Sequence, residues 1–577
     1  MDSLSEYIPL DRRRAIARRE NLPDRAHGAA LFADISGFTP LTEALAQELG
    51  RRRGADELTR QLNVVYGALI DEVHRYAGSV IGFSGDAITC WFDDTGGETL
   101  EVLKTSGVSP GQASLRATAC ALAMQKLMGQ FTNVTTPSGI QVSLAIKIGI
   151  ATGPVRRFRV GDPQIQYLDV LAGATVDRMA AAESFAEKGE VVVDPATTAR
   201  IGNQATIKEW REVQAQDRQF ERFAVVSGLN GFLQSPRTPT PFVGPEEESL
   251  SEAEARDWLL PPVYERLSGG RGRFLAEIRP AVALFLKFGG LDYDQDETAG
   301  QKLDAYVRLV QNMLAYYEGY LIQLTIGEKG NYLYAVFGAP LAHDDDSARA
   351  VAAALELRSA PAELEFAGGV QIGVSQGLMR AGAYGGSTRR TYGVLGDEAI
   401  VAARLMERAE PGQIIVSRRI ADAIAKRYNL EDFGSVSLKG MREPVPISAV
   451  MGRRLPSPPR LATRFTSPLV GRDGELAQMG QILRSVLEGE GQVLRLEGAA
   501  GVGKSHLTAE FMDEALGRGL RVAVGACQST SQDIPYYPWR QIYRTLFDLT
   551  DDLSPGEDRK SLVARHISQV EREVSQI

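Results

Sequence analysis

Two acidic residues are spaced so that they could share a pair of divalent cations. Asp34 lies in FADISGFTPLT (residues 32–42), and Asp86 lies in FSGDAITCWF (83–92). "LFADI" is an apolar run of strand type, which puts Asp34 near a strand end. "SGFTPLT" then opens a helix, whose first backbone N–H groups lack intrahelical partners and can hold phosphate. "FSGDA" reads as a tight turn between two strands and aims Asp86 at the same spot. Oxygen ligands of this kind suit Mg2+ or Mn2+. In the plainer reading Asp34 is a capping residue and Asp86 a turn residue.

A second phosphate-type motif stands near the end of the chain. GAAGVGKS (498–505) fits G-x-x-x-x-G-K-[ST] and follows the apolar run VLRLE, which is expected to be a strand. Backbone N–H groups around Gly498, Gly501 and Gly503 would cradle phosphate. Lys504 would reach the outer phosphates and Ser505 would ligate Mg2+. Upstream, VGRDGELAQMGQILRSVLEG reads as an amphipathic helix. No apolar strand ending in paired acids follows Ser505, so the chain is expected to stop inside this domain and not to hydrolyse ATP there.

The elements that must position these groups come from a duplication. LAIKIGIATG (144–153) returns as GVQIGVSQG (369–377), and YLDVLAGATVDRMAAAES (167–184) as TYGVLGDEAIVAARLMER (391–408). Both segments align at an offset of 224 residues. Each copy alternates β-branched runs with helical patterns, as an α+β sheet with helices on one face would. The copies differ in their polar residues. AVALFLKFGG matches LFADISGF with Lys287 at the place of Asp34, and GEKGNYLYAVF brings Asn331 to the place of Asp86. Conversely, Arg404 of the second copy aligns with Ala180 of the first. Complementary losses of this kind predict one composite site between the copies and one degenerate site.

These strings together resemble the class III nucleotidyl cyclases, above all the soluble adenylyl cyclases with two cyclase domains followed by an AAA- or STAND-type NTPase. The resemblance covers roughly residues 26–228, 275–451 and 467–577. It implies two ferredoxin-like cyclase domains forming a pseudo-twofold heterodimer. The implied divisions are a helical arm at 1–25, domains at 26–228 and 275–451, connectors at 229–274 and 452–468, and an incomplete P-loop domain at 469–577. The implied reaction is conversion of ATP to cyclic AMP and pyrophosphate. Asp34 and Asp86, with the Ile35 carbonyl, would hold two ions. Gly37, Phe38, Thr39, Lys147 and Lys439 would meet the nucleotide and its phosphates, and Arg404 would steady charge at the α-phosphate. Gln323, Gly393 and Val394 fall where the family reads the base. Three positions depart from the family. Ile400 replaces a ribose-orienting Asn, Gln323 an adenine-selecting Lys, and Gly393 an Asp or Thr. ATP and GTP therefore both remain open, as does a second reading: a nucleotide-sensing regulator that turns over slowly or not at all.

Bulk properties agree with a multidomain globular chain. The 577 residues are 44% hydrophobic and 24% charged, with net charge −9, which does not favour a nucleic-acid surface. No apolar run reaches the ~18 residues of a membrane span. The three cysteines, Cys90, Cys120 and Cys527, lack metal-site spacing, and a reducing cytosol is expected.

Overall fold

The computed structural model describes residues 4–94, 112–214, 220–230, 250–269, 277–327, 330–359, 369–438, 444–453, 469–499 and 501–525, with 538, 539 and 542. The chain divides into two compact units, Met1–Gly452 and Arg453–Ile577. Each is described by itself.

The first unit opens with helix α1 (Leu10–Ala17) and strand β1 (Arg25–Ser36). Apolar residues alternate along β1. Ala29, Leu31, Ala33 and Ile35 enter the main core of the first copy, while Ala30 enters a smaller cluster on the opposite face. The chain leaves β1 through Gly37, whose φ is 108°. A Cβ there would come 2.4 Å from the Ser143 carbonyl, so only glycine fits this exit. Helix α2 (Phe38–Arg75) follows and is broken at Gly50. Leu41, Leu45, Leu62, Tyr66, Leu69 and Val73 give it one buried stripe. Then come β2 (Ser79–Ser84), β3 (Ala87–Asp93), α3 (Ala113–Met128) and the small ribbon of β4 (Val134–Thr135) and β5 (Gln141–Val142). Long β6 (Ala145–Val160), β7 (Leu168–Ala172), α4 (Ala174–Ser184), β8 (Val191–Val193), α5 (Pro195–Ile201), β9 (Ala205–Gln214) and β10 (Phe220–Leu229) complete the first copy. Its sheet runs β2-β3-β1-β6-β8-β10-β9, with β7 paired to β6.

Two short helices, α6 (Glu252–Arg256) and α7 (Pro261–Ser268), lie in the connector. They are not merely a tether: Trp258, Leu259, Leu260 and Val263 are buried against the second copy. That copy consists of β11 (Glu277–Phe288), α8 (Ala299–Tyr316), β12 (Tyr320–Thr325), β13 (Asn331–Phe337), α9 (Asp346–Arg358), β14 (Gln371–Gly385), β15 (Arg390–Leu395), α10 (Asp397–Arg408), β16 (Ile414–Ser417), α11 (Arg418–Ile424), β17 (Tyr428–Val436) and β18 (Val445–Arg453). Its order, β12-β13-β11-β14-β16-β18-β17 with β15 on β14, repeats that of the first sheet.

The strand registers refine the internal alignment. Asp34 lies opposite Lys147 as Lys287 lies opposite Gln371, which keeps the offset of 224 for β6 and β14. The connection from β14 to β15 is one residue shorter than that from β6 to β7, so the following helices are offset by 223. A Cβ on Gly149 would strike Met179 and Glu183, and one on Gly373 would strike Ala402 and Met406. Arg404 therefore corresponds to Ala181, not Ala180, and Ile400 corresponds to Asp177.

The copies grip each other reciprocally. The Gly161 N–H donates to Asp304 Oδ1 of α8 (2.8 Å), and the equivalent Gly385 N–H donates to Asn63 Oδ1 of α2 (3.1 Å). Val160 is buried in the second copy's core, and its counterpart Tyr384 in the first copy's core.

In the second unit, α12 (Asp473–Leu487) and α13 (Lys504–Gly517) form as the sequence predicts. The strand expected over VLRLE does not. Residues 490–499 carry no regular structure, and Val493 is 96% exposed. A strand exists only with a ladder partner, and none of the described residues supplies one.

Candidate active site

Asp34 and Asp86 are brought together by a single strand pair. In the β1–β3 ladder Asp34 faces Ala87, and the Ile35 N–H donates to the Asp86 carbonyl at 3.2 Å. The turn at Gly85 and Asp86 is held from below by the Tyr66 hydroxyl, which donates to the Gly85 carbonyl at 3.1 Å. Asp86 opens onto a cavity, yet protein crowds it from behind. That desolvation first, and repulsion from Asp34 second, push its carboxyl up to about 6. Two hard oxygen donors that repel each other suit a divalent cation. Among the described residues no third acidic, His or Cys side chain joins them as a metal-binding group. Further ligands would have to be backbone carbonyls such as that of Ile35, nucleotide oxygens or water.

The cavity beside Asp86 has a volume of about 1020 Å3. Its first-copy wall includes Phe38, Phe83, Ser84 and Asp86; its second-copy wall includes Lys287, Gln323, Tyr384, Gly393, Val394, Ile400 and Arg404. Residues from both copies thus line one space.

The sequence-selected residues differ in their surroundings. Arg404 is drawn along its own helix to Glu407 (Nη1 to Oε2, 2.6 Å). Its alignment on α10 follows from the buried set Val401, Ala402, Leu405 and Met406, which leaves Ala403 and Arg404 toward the cavity. Gln323 Nε2 donates to Ser84 Oγ (3.1 Å) and Thr325 Oγ1 (2.8 Å). Val394 is buried, and its carbonyl accepts from the Tyr334 hydroxyl at 2.9 Å. Lys147 sits across the ladder from Asp34 but outside the cavity lining, with Nζ 3.8 Å from Glu183 Oε1. Asp34, Ile35 and Gly37 likewise adjoin the cavity without lining it. The side chain of Thr39, and Lys439 altogether, lie outside the described residues.

Lys287 and Tyr384 are among the cavity residues that sequence reasoning missed. Lys287 stands at the second copy's place of Asp34, yet it lines the same space as Arg404. Tyr384 left a readable sign: the repeat holds a valine, Val160, at the matching position of the first copy.

In the second unit Lys504 folds back on its loop, with Nζ donating to the carbonyls of Gly498 (2.8 Å) and Ala499 (2.7 Å). Gly501 and Gly503 have positive φ, 84° and 87°, and Gly503 caps α13, whose first residues are Lys504 and Ser505.

Two like sheets and a composite cavity beside a carboxylate pair define a nucleotidyl cyclase architecture, and comparison with known proteins agrees. The adenylate and guanylate cyclase catalytic domain model matches residues 26–224 and 300–450, and the AAA ATPase domain model matches 468–575. The chain belongs to the adenylate and guanylate cyclase catalytic domain family. It is 24% identical over 528 residues to adenylate cyclase type 10 of Homo sapiens, covering 86% of this chain and 31% of that protein. It is 23% identical over 512 residues to the Rattus norvegicus protein, covering 84% of this chain and 30% of that one. The chain thus spans about a third of the length of these curated relatives. Among solved structures, a class III adenylyl cyclase-like ATP-binding protein from Pseudomonas aeruginosa matches with TM-score 0.44 at 14% identity, covering 69% of this chain and 85% of that one. Among the described residues no helix is long and apolar enough to cross a membrane.

Proposed function

We propose that this chain is a tandem adenylate cyclase joined to an ATP-binding AAA-type module, with the paired copies acting as an intramolecular pseudo-dimer. The observation that carries this reading is the lining of one cavity by Asp86 of the first copy and Arg404 of the second. In the reaction the ribose 3′-oxygen bonds to the α-phosphorus, the bond from that phosphorus to the β-phosphate oxygen breaks, and pyrophosphate leaves. Asp34, Asp86 and the Ile35 carbonyl are the groups that would hold two Mg2+ or Mn2+ ions. Bound there, such ions would supply charge that lowers the pKa of the attacking hydroxyl and neutralises the triphosphate. Gly37, Phe38 and Thr39, at the start of α2, would receive phosphate. Lys147, beside Asp34, and Lys439 would add positive charge. Arg404 would leave Glu407, an exposed i,i+3 partner worth little, to hold α-phosphate oxygens in its planar fork. Gln323, Gly393 and Val394 would face the base. The domains run 26–228, 275–451 and 469–577, and a cytosolic location fits this chemistry.

One observation favours the second reading, a nucleotide-sensing regulator with weak turnover. Ile400, 44% exposed, presents an apolar side chain to the cavity where a ribose hydroxyl needs a partner. The test is cyclic nucleotide formation by the purified chain with Mn2+ and either ATP or GTP. Cyclic AMP from ATP supports the enzyme. Tight metal-dependent binding of ATP without product supports the regulator.

A further inference from the structure

We propose that Tyr384 reads the purine edge in this cavity, taking over from the side chain that is missing at Gly393; this rests on the nucleotide-binding reading above. A Cβ built on Gly393 would lie 2.7 Å from Tyr384 Cε1 and 3.3 Å from its hydroxyl oxygen. The phenol therefore fills the room a side chain at 393 would need, and its oxygen reaches the space above that glycine. The two residues stand on neighbouring strands, where Tyr384 pairs with Thr391 and Gly393 with Gly382. Both line the cavity together with Gln323.

The ring is fixed. Tyr384 is 3% exposed and packs against Tyr66 and Phe83 of the first copy, at centroid distances of 5.8 and 5.6 Å. Arg380 lies 6.0 Å from its centroid. A rotation of the ring would open the first copy's core, so the hydroxyl is held in place, as a recognition group must be. That hydroxyl forms no hydrogen bond with any described residue, although it belongs to a largely buried side chain. The register places Val160 and Val170 at the matching positions of the first copy. Those residues are buried apolar groups in the second copy's core. The glycine–phenol pair thus occurs only on the wall that faces Asp86.

Gln323 gives the hydroxyl a complementary neighbour. With its NH2 given to Ser84 and Thr325, its carbonyl oxygen is the group left to meet a base. An acceptor alone cannot satisfy a purine edge, which offers both a donor and an acceptor. The Tyr384 O–H supplies a donor beside it, fixed by its packing. For adenine, the 6-amino group donates to the Gln323 carbonyl and N1 accepts from Tyr384. For guanine, O6 accepts from Tyr384 and N1–H donates to Gln323.

The test uses the full chain carrying Lys504→Ala, so that the P-loop does not contribute, with Mn2+ present. ATP, GTP and inorganic tripolyphosphate are titrated calorimetrically into this protein and into the same protein with Tyr384→Phe, which keeps the ring and its packing. The expected result is a loss of roughly tenfold in affinity for the purine nucleotide that binds, with tripolyphosphate unchanged. Unchanged binding of all three ligands overturns the role of Tyr384 while leaving the nucleotide site standing. Equal loss for nucleotide and tripolyphosphate overturns it too, by showing a packing effect. If the unsubstituted cavity binds none of them, the reading of the site falls and this inference falls with it.

Discussion

At the scale of single residues the account turns on Asp86 and Arg404. Asp86 carries a carboxyl raised to about 6, by burial first and Asp34 second. Below that pH it is protonated, and the proton competes with a cation. Metal-dependent nucleotide binding is therefore predicted to weaken steeply as pH falls from 7 to 5. The linked stability has the opposite sign. A carboxyl raised in the folded state stabilises below its unfolded value, and this contribution is lost as pH rises through about 6. Asp86→Asn should therefore raise the metal-free melting temperature at neutral pH while abolishing metal-dependent binding. Thermal melts and titrations on one sample check both, and a lower melting temperature would contradict the repulsion argument. Arg404→Ala is predicted to cut turnover by roughly a hundredfold or more with little change in affinity, because its contact matures in the transition state. Ile400→Asn should raise turnover by restoring a ribose partner. Initial rates across ATP concentration separate the two effects, and an unchanged rate for Arg404→Ala removes that residue from the mechanism.

At the scale of elements, the N-terminal arm is a structural clasp that composition did not foretell. Arg12 of α1 donates to Asp169 of β7 (2.9 and 3.2 Å), and Arg157 of β6 donates to the same carboxylate (3.0 and 2.9 Å) and to Asp11. Asp11 also accepts from Ser79 Oγ at 2.7 Å. On the other side, Arg389 of the second copy donates to the Tyr7 carbonyl (2.8 Å) and to the Val80 and Ile81 carbonyls (3.0 and 3.1 Å). The arm thus ties both copies together. Burial alone would raise the Asp169 carboxyl, but Arg157 and Arg12 outweigh it and hold it below the usual range. This contribution is present above the unfolded value, near 4, and is lost as pH falls through the lower folded value. Asp169→Ala is predicted to cost about 3–5 kcal/mol at neutral pH, because it leaves Arg157 buried without half of its partners. Chemical denaturation at pH 7 measures it, and a cost under about 1 kcal/mol would mean the cluster is solvated. Sequence showed where Asp34 and Asp86 fall because strand and turn signals are local. The clasp was invisible because its partners are separated by up to 382 residues. The VLRLE strand failed for the same reason, since apolar alternation states a preference and only a neighbouring strand can satisfy it.

At the scale of the whole molecule, duplication followed by complementary loss fits a cavity lined by residues of both copies. The repeat made the fold legible, and the losses at Lys287 and Asn331, with Arg404 set against Ala180, pointed to a composite site. The reach of Lys287 into the cavity and the insertion of Tyr384 into the other copy's core were not legible, since each depends on how two sheets meet. In the second unit, Lys504→Ala should weaken nucleotide binding at the P-loop and leave cyclase rate unchanged in this chain. A changed rate, read from cyclic AMP formation, would place regulation within residues 1–577. The central claim is that metal-dependent nucleotide binding belongs to the Asp34–Asp86 side of a single composite site. Calorimetric titration of Mn2+ and ATP, with the P-loop silenced by Lys504→Ala, tests it on Asp34→Ala and on Asn331→Ala at the mirrored turn. The account predicts binding abolished in the first and kept in the second. Binding retained in Asp34→Ala, or lost equally in both, would contradict it.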